Sequence, residues 1–171
     1  MNTMLGILFV VNLITFTEKE AVRPCWDFAF GASVARSVKA QQALNNSGRL
    51  RVVVEQVAPG GGNVHIAVHK ASDFMQNNRA VTGLILPPLG KKVLNGRLQA
   101  LPYDTYAVAV YQDMNGNSRL DKNTLGIPTE PYAFANNPKV KWSPPTFEEA
   151  AVDIRAEEQT IRVQLRYWRD Q

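Results

Sequence analysis

The stretch "TIRVQLRYW", residues 160–168, decides the fold class, because its side chains alternate with a period of two. One face carries Ile161, Val163, Leu165 and Tyr167, and the other carries Arg162, Gln164, Arg166 and Trp168. Successive side chains of a β-strand point to opposite faces of the sheet. The pattern therefore predicts an antiparallel strand with one buried face and one solvated face.

Six further runs of similar texture precede this one and are separated by turn residues. They are residues 50–57, 64–70, 80–86, 92–101, 104–113 and 150–154. The first two flank the glycine-rich stretch "APGGGN", which predicts a β-hairpin. The run "DTYAVAVYQD" has the β-branched and aromatic content of a central strand. Because no segment after residue 50 sustains a helical period, we predict an all-β fold, an antiparallel β-sandwich of about seven strands of immunoglobulin or transthyretin type.

Length and composition fit one folded domain. The chain has 171 residues, of which 45% are hydrophobic and 20% are charged, as is usual for globular proteins. The net charge is +4, and the longest basic cluster is the pair Lys91 and Lys92. Nucleic-acid binding requires a stripe of positive charge that neutralises phosphates, so we predict no nucleic-acid partner.

The N-terminus contains an uncharged apolar run, "MLGILFVVNLITF", at residues 4–16. A run of this length is too short to span a bilayer but suits the apolar region of a signal peptide. No Lys or Arg precedes it, so a buried strand or helix is the alternative. We predict a leader and linker over residues 1–40, cut after "SVA" or "VKA", and a β-sandwich domain over residues 41–171. The expected mature protein is periplasmic or secreted, has no membrane span, and lacks Cys25, the single cysteine.

The stretch "DMNGNSRLD", residues 113–121, resembles a calcium loop, in which oxygen ligands occupy positions 1, 3, 5, 7 and 9. These positions hold Asp113, Asn115, Asn117, the carbonyl of Arg119, and Asp121. Position 12 is Thr124 where such loops have a bidentate acid, and Glu130 could supply that acid if the chain folds back. Two alternatives stay open at this stage. The loop either binds Ca²⁺ weakly or is a metal-free turn whose Asn and Asp side chains bond their own backbone.

The segment from Tyr106 to Asn137 resembles the signature of a bacterial family known as domain of unknown function 2141. That signature has the form D-x-N-x-N-x-x-L-D, then G-[IV]-P-x-E, then an aromatic and asparagine run. It is carried here by Asp113, Asn115, Asn117, Leu120, Asp121, Gly126, Pro128, Glu130, Tyr132, Asn136 and Asn137. Ala133 and Ala135 depart from a family pattern that often has glycine. The resemblance covers residues 49–167; it implies an exported β-sandwich and no particular activity.

Other side chains offer weaker candidates. His65 and His69 are four residues apart, about 13 Å along a strand, so they cannot share a metal ion, and we expect them to face solvent. The serines lie in no nucleophile motif such as G-x-S-x-G. Trp142, Tyr132 and Phe134 could present aromatic faces to a ligand, or they could fasten their own loop to the sandwich.

These observations predict a non-enzymatic, exported β-sandwich protein of the bacterial envelope with a binding or scaffolding role. Its expected partner is a protein or a polysaccharide of the cell envelope, and Ca²⁺ is the one candidate cofactor, since the alternative is a metal-free loop. The alternative is a carbohydrate-binding or enzyme-accessory module that uses the loop aromatics Trp142, Tyr132 and Phe134. Hydrolase activity is disfavoured, because the sequence offers no nucleophile, base or triad.

Overall fold

The computed structural model describes residues 46–76, 79–140 and 143–170 of the chain. Eight strands are present in this part: β1 (Ser47–Glu55), β2 (Val64–His69), β3 (Thr82–Leu86), β4 (Leu94–Pro102), β5 (Asp104–Gln112), β6 (Tyr132–Phe134), β7 (Ala151–Ile154) and β8 (Glu158–Gln164). The helical elements of these residues are three 3₁₀ turns, at Ala71–Asp73, Glu148–Ala150 and Trp168–Asp170. None of them is long and apolar enough to cross a membrane. The predicted leader with Cys25, the boundary at residue 40 and the predicted ligand platform at Trp142 lie outside the described residues.

The strands form two sheets, which confirms the all-β prediction. The smaller sheet has three strands in the order β4-β1-β8. The larger sheet has five, in the order β3-β2-β5-β6, and β7 pairs with β5 as well. All pairings of the larger sheet are antiparallel. β5 is the central strand that its composition predicts, because it pairs with β2 on one side and with β6 and β7 on the other.

The main hydrophobic core lies between the two sheets. β1 contributes Leu50, Val52 and Val54, whose exposed fraction is 0%. The opposing sheet contributes the inward side chains Val64, Ile66, Val68, Tyr106, Val108 and Val110. Both sets alternate with residues that point away from the core, as expected for strands of a sandwich.

The predicted hairpin between the first two strands is wrong. β1 belongs to the three-stranded sheet and β2 to the five-stranded sheet, so the glycine-rich turn carries the chain from one sheet to the other. The side chain of Gln112 holds this turn. Its Oε1 accepts a hydrogen bond from the Ala58 amide (2.9 Å), and its Nε2 donates to the carbonyls of Ala58 (2.8 Å) and Gly62 (3.2 Å).

The alternation of the last strand correctly identifies its buried face, but the predicted antiparallel pairing is wrong. Val163 has an exposed fraction of 0% and Leu165 of 3%, whereas Arg162 is exposed. β8 runs parallel to β1, from the pair Arg49–Glu158 to the pair Glu55–Gln164. Alternation reports only which face is buried, and a neighbour of either direction buries the same face.

The stretch 122–147, which lies outside the seven predicted runs, contains the short strand β6. β6 pairs with residues 109–111 of β5, and β7 pairs with residues 104–107 on the same edge of that strand. The two short strands thus lie one after the other along the same edge of β5. Tyr132, the first residue of β6, also forms a bridge with Arg166, which links the five-stranded sheet to the chain that follows β8.

Candidate functional site

Asp113 follows directly after β5 and organises the loop predicted to bind calcium. Its side chain is buried, with an exposed fraction of 2%. Its Oδ1 accepts hydrogen bonds from the amides of Gly116 (2.7 Å) and Asn117 (3.2 Å), and its Oδ2 accepts one from Ser118 (2.7 Å). Desolvation raises the pKa of Asp113, but these three backbone donors, together with the nearby His65, outweigh it and leave the pKa below its ordinary value. The carboxylate therefore holds the turn while it stays ionised.

Glu130 folds back onto the same loop, as it must if it is to supply the acid that is missing at position 12. It is buried, with an exposed fraction of 4%. Its Oε1 accepts a hydrogen bond from the amide of Met114 (2.7 Å), and its Oε2 accepts one from the amide of Asp121 (3.1 Å). One carboxylate thus joins the two ends of the 114–121 segment to the start of β6.

Three of the predicted metal ligands come together at the outer part of the loop. The Asn115 Nδ2 donates to the Asp121 Oδ2 (2.6 Å), and the Asn117 Nδ2 donates to both Asp121 oxygens (3.0 and 2.9 Å). The Asn117 amide also donates to Asp113, so Asn117 connects the two acids of the loop. Gly116 and Ser118 adopt positive φ angles of 79° and 60°, which close the turn.

The oxygen atoms of the predicted ligands are of the kind that binds a hard cation, but only some of them lie close together. Oxygen ligands of this type suit Ca²⁺, and Asn115, Asn117 and Asp121 are already neighbours. Within the described ranges, no three acidic, histidine or cysteine side chains group closely enough to hold a metal ion. Both Glu130 oxygens accept backbone hydrogen bonds. A cation at Asp121 would therefore require the two asparagines to turn their amide oxygens inward.

The second half of the loop is a separate small turn with an exposed tip. The Asn123 Oδ1 accepts hydrogen bonds from the amides of Leu125 (2.9 Å) and Ile127 (3.0 Å). Lys122 and Pro128 form a bridge at its base. Leu125, at the tip, has an exposed fraction of 80%. We refer to residues 113–130 as the clamped loop, because Asp113 and Glu130 hold it at its two ends.

The asparagine pair after β6 has a structural role. Asn136 and Asn137 have positive φ angles of 64° and 48°, a conformation that asparagine tolerates better than most residues. The Asn136 Nδ2 donates to the carbonyl of Ala151 in β7 (2.9 Å). The Asn137 Oδ1 accepts from the Gln164 amide (2.8 Å), and its Nδ2 donates to the Arg162 carbonyl (3.1 Å). This turn therefore ties β6 to both later strands.

The two histidines do not face solvent, so that prediction is wrong. His69 has an exposed fraction of 6% and meets Phe74 edge-on at 6.3 Å. His65 stacks on Tyr111, with ring centroids 4.7 Å apart, and its Nε2 lies 3.8 Å from the Asp113 Oδ2. Desolvation lowers the pKa of both histidines, and nearby Asp113 and Glu130 offset this effect in part at His65.

Both histidines lie on the outer face of the five-stranded sheet, the face turned away from the other sheet. This face has its own cluster of aromatic and apolar side chains, which includes Tyr132, Phe134 and Phe74. An open cleft of about 580 Å³ lies over it. Tyr132 and Phe134, two of the predicted platform residues, line this cleft and are buried, with exposed fractions of 3% and 8%.

The residues that make the cleft were not among those predicted from the sequence. Ala67 of β2 and Ala109 of β5 are direct partners in the sheet, and both line the cleft floor. The small residues in "HIAVH" and "YAVAV" alternate with Val and Ile on the inner face, and this alternation is the signal that could have revealed a hollow. Residues 118–122 of the clamped loop form the opposite wall.

These features define the protein as an all-β sandwich whose central strand ends in a clamped, asparagine-rich loop beside a cleft. The model of a family described as an uncharacterized protein conserved in bacteria (DUF2141) matches residues 52–162. This match covers more than half of the chain, and the chain belongs to that family. Neither the curated proteins nor the solved structures gave a match.

Proposed function

We propose that this protein is a non-enzymatic, exported binding or scaffolding protein of the bacterial envelope, and that the clamped loop is its recognition element. The observation that carries this proposal is the structural role of the two buried acids of the loop. Asp113 and Glu130 together accept five backbone hydrogen bonds, so they fix the shape of the loop. Binding residues are commonly found on loops that a rigid scaffold positions.

The exposed side chains of the loop support a contact with a macromolecule. Leu125 stands at the tip with an exposed fraction of 80%, and Met114 is exposed to 39%. Arg119 and Lys122 are also exposed. An ordered surface that offers apolar and cationic groups together fits a protein or an anionic polysaccharide of the envelope.

Export and partner binding are tested separately. N-terminal sequencing of the protein from a periplasmic extract should give a start within residues 36–41, and a cytosolic form that begins at Met1 would contradict export. Co-sedimentation with purified cell-wall polysaccharide and with envelope membranes tests binding. A Leu125→Ser and Lys122→Ser double variant should lose at least tenfold in affinity, whereas Leu89→Ser, another exposed leucine, should bind as the unchanged protein does. Equal binding by both variants would contradict the role of the loop.

Weak binding of Ca²⁺ is a second proposal for the same loop. It is supported by the contacts that bring Asn115 and Asn117 to Asp121. With few carboxylates, the dissociation constant should be near 10⁻⁴–10⁻³ M, roughly that of extracellular modules. The ion would reinforce a turn that the backbone hydrogen bonds of Asp113 already define.

Thermal unfolding with calcium or with a chelator tests this second proposal. A ligand that binds only the folded state stabilises it, by about 2.7 kcal/mol at a concentration of 100 times Kd. Asp121→Asn should abolish the calcium-dependent rise in Tm, and Asp153→Asn, at an exposed site on β7, should retain it. If millimolar calcium does not change the Tm of the unsubstituted protein, the metal proposal fails.

The alternative of carbohydrate binding still relies on aromatic side chains, but it places them in the cleft and not on an exposed loop. Tyr132 and Phe134 line the cleft, so a sugar ring that contacts them would have to enter it. Intrinsic fluorescence against a panel of polysaccharides tests this alternative. A spectrum that no polysaccharide alters would count against it.

A further inference from the structure

We propose that the cleft on the outer face of the five-stranded sheet is a binding site for a small amphipathic anion, a molecule with an aromatic or alkyl body and one anionic head. This site shares Arg119 and Lys122 with the exposed surface of the clamped loop, but its apolar part lies over the sheet and does not depend on the partner proposed for that surface. Four features of the cleft support the proposal, which are its floor, its walls, an unpartnered hydroxyl and the charges at its edge.

The floor of the cleft is low because two small residues meet there. Ala67 and Ala109 are directly paired across β2 and β5, whereas the inner face of the same strands carries valine and isoleucine. Side chains of larger size at this pair would fill the space above the sheet. The result is a cleft of about 580 Å³, within the range of pockets that hold small ligands.

The walls are aromatic and suit a flat or extended apolar body. Phe74 and Phe134 meet edge to face at 6.2 Å, and Tyr132 meets Phe134 in the same way at 6.0 Å. Met75 and Leu120 complete the apolar lining. Aromatic side chains of this kind contribute large contact areas to a ligand.

One buried polar atom of these side chains has no hydrogen-bond partner within the described part of the chain. It is the Tyr132 hydroxyl, and the Tyr132 side chain lines the cleft. A buried polar group that lacks a hydrogen bond costs free energy, so a polar ligand atom that reaches this hydroxyl would be favourable. Burial raises the pKa of Tyr132, so its hydroxyl remains a donor at neutral pH.

The charges at the edge of the cleft select an anion. Arg119 and Lys122 line it and are exposed, and neither is ion-paired with another described residue. Asp121 also lines the cleft, and its carboxylate accepts hydrogen bonds from Asn115 and Asn117, but the two cations outnumber it. An anionic head would therefore meet an edge of net positive charge while the apolar body lies over the alanine floor.

Titration of the full chain with 1-anilinonaphthalene-8-sulfonate, an aromatic sulfonate, tests the site. Blue-shifted emission should report one saturable site per chain. Ala109→Leu should weaken binding at least tenfold, because the leucine fills the floor, and Ala109→Val should weaken it less. Gln99→Leu, which adds the same side chain at an exposed position of β4, should bind as the unsubstituted protein does. A cooperative thermal transition in every variant shows that the dye reports a folded protein.

Three further comparisons test the polar part of the proposal. Arg119→Gln with Lys122→Gln should weaken binding of the sulfonate at least threefold and leave binding of the uncharged analogue N-phenyl-1-naphthylamine unchanged. Tyr132→Phe should also weaken binding of the sulfonate, whereas Tyr103→Phe, at an exposed tyrosine, should not. Dye binding that is absent, or that Ala109→Leu and Ala109→Val leave unchanged, would overturn the site. Equal affinity for charged and uncharged dyes would overturn its preference for an anion.

Discussion

A single glutamine at the end of β5 determines how the chain passes between the sheets. Gln112 has an exposed fraction of 0%, and its side-chain amide hydrogen-bonds to the turn that follows β1. The backbone of this turn lies so close to the backbone at Asp113 that a Cβ atom added at Gly62 would lie 2.1 Å from the Asp113 carbonyl oxygen. This glycine is therefore required for close approach.

Two neighbouring glycines of this turn give a matched test. Gly62→Ala should lower the free energy of unfolding by about 2–3 kcal/mol, because backbone atoms cannot move aside as a flexible side chain can. Gly60→Ala should change it by less than about 0.5 kcal/mol, because no atom lies within 4 Å of the position that its Cβ would take. Urea unfolding measures both. Similar losses for the two variants would contradict the close approach.

Much of this residue-scale picture was not predictable from the sequence. The Asp113 turn was one of the two alternatives for "DMNGNSRLD", because Asn and Asp side chains bond nearby amides and such contacts are local. The hydrogen bonds of Gln112 join residues about 50 positions apart. No local pattern distinguishes this glutamine from a solvated one, and the glycine-rich turn was therefore mistaken for a hairpin.

At the scale of elements, the clamped loop is held by a buried acid at each of its two ends. The conformation of its backbone therefore does not depend on its exposed side chains. Asp113 supports the first turn, and Glu130 joins the amides of Met114 and Asp121. Tyr132 and Phe134 follow two and four residues later and pack on the outer face of the sheet. The loop therefore positions β6 as well as itself.

Replacement of Glu130 by glutamine tests the clamp. Both Glu130 oxygens accept backbone hydrogen bonds, so Glu130→Gln would direct an NH₂ group at one of the two amide donors. We expect the free energy of unfolding to fall by about 1–3 kcal/mol. Glu148→Gln, at an exposed glutamate, serves as the control and should change it by less than about 0.5 kcal/mol. Chemical denaturation measures both, and equal stability of the two variants would rule out the clamp.

Elements with several alternating residues were predictable, and those set by distant partners were not. The seven predicted runs all contain strands, because burial of one face imposes a period of two. β6 has only three residues, Tyr132–Phe134, too few to establish a period. The direction of β8 depends on which strand it joins, and β1 lies about 100 residues earlier in the chain.

At the scale of the whole molecule, the five-stranded sheet is covered on both faces, by the main core and by the aromatic cluster. This second layer explains why His65 and His69 are removed from solvent although the alternation of β2 suggested a solvated face. Neutral histidines are favoured in such surroundings. The stability of the domain is therefore linked to pH.

The domain should lose stability as the pH falls from 8 to 5. Desolvation lowers the pKa of His65 and His69 below 6.5 in the folded state, so the unfolded chain binds more protons as pH falls through about 6.5. The stabilisation is complete above that value and declines towards the folded pKa values. Asp113, whose pKa is lowered from 3.8, acts in a lower window, with stability lost as pH falls through its folded pKa.

Thermal unfolding across this pH range measures the effect. A His65→Gln and His69→Gln double variant should show a flatter dependence of Tm on pH between 8 and 5. A variant profile that runs parallel to that of the original protein would show that other groups cause the dependence.

The parallel pairing of β1 with β8 has a consequence for the order of events during synthesis. These two strands are neighbours in one sheet, and all seven residue pairs between them join distant parts of the sequence. Contacts between such distant residues form slowly, because a long stretch of chain must be ordered first. The three-stranded sheet cannot be completed until β8 has left the ribosome. Until then the edge of β1 that β8 covers in the folded protein has no partner strand, so a nascent chain exposes this edge while β2 to β7 are synthesised.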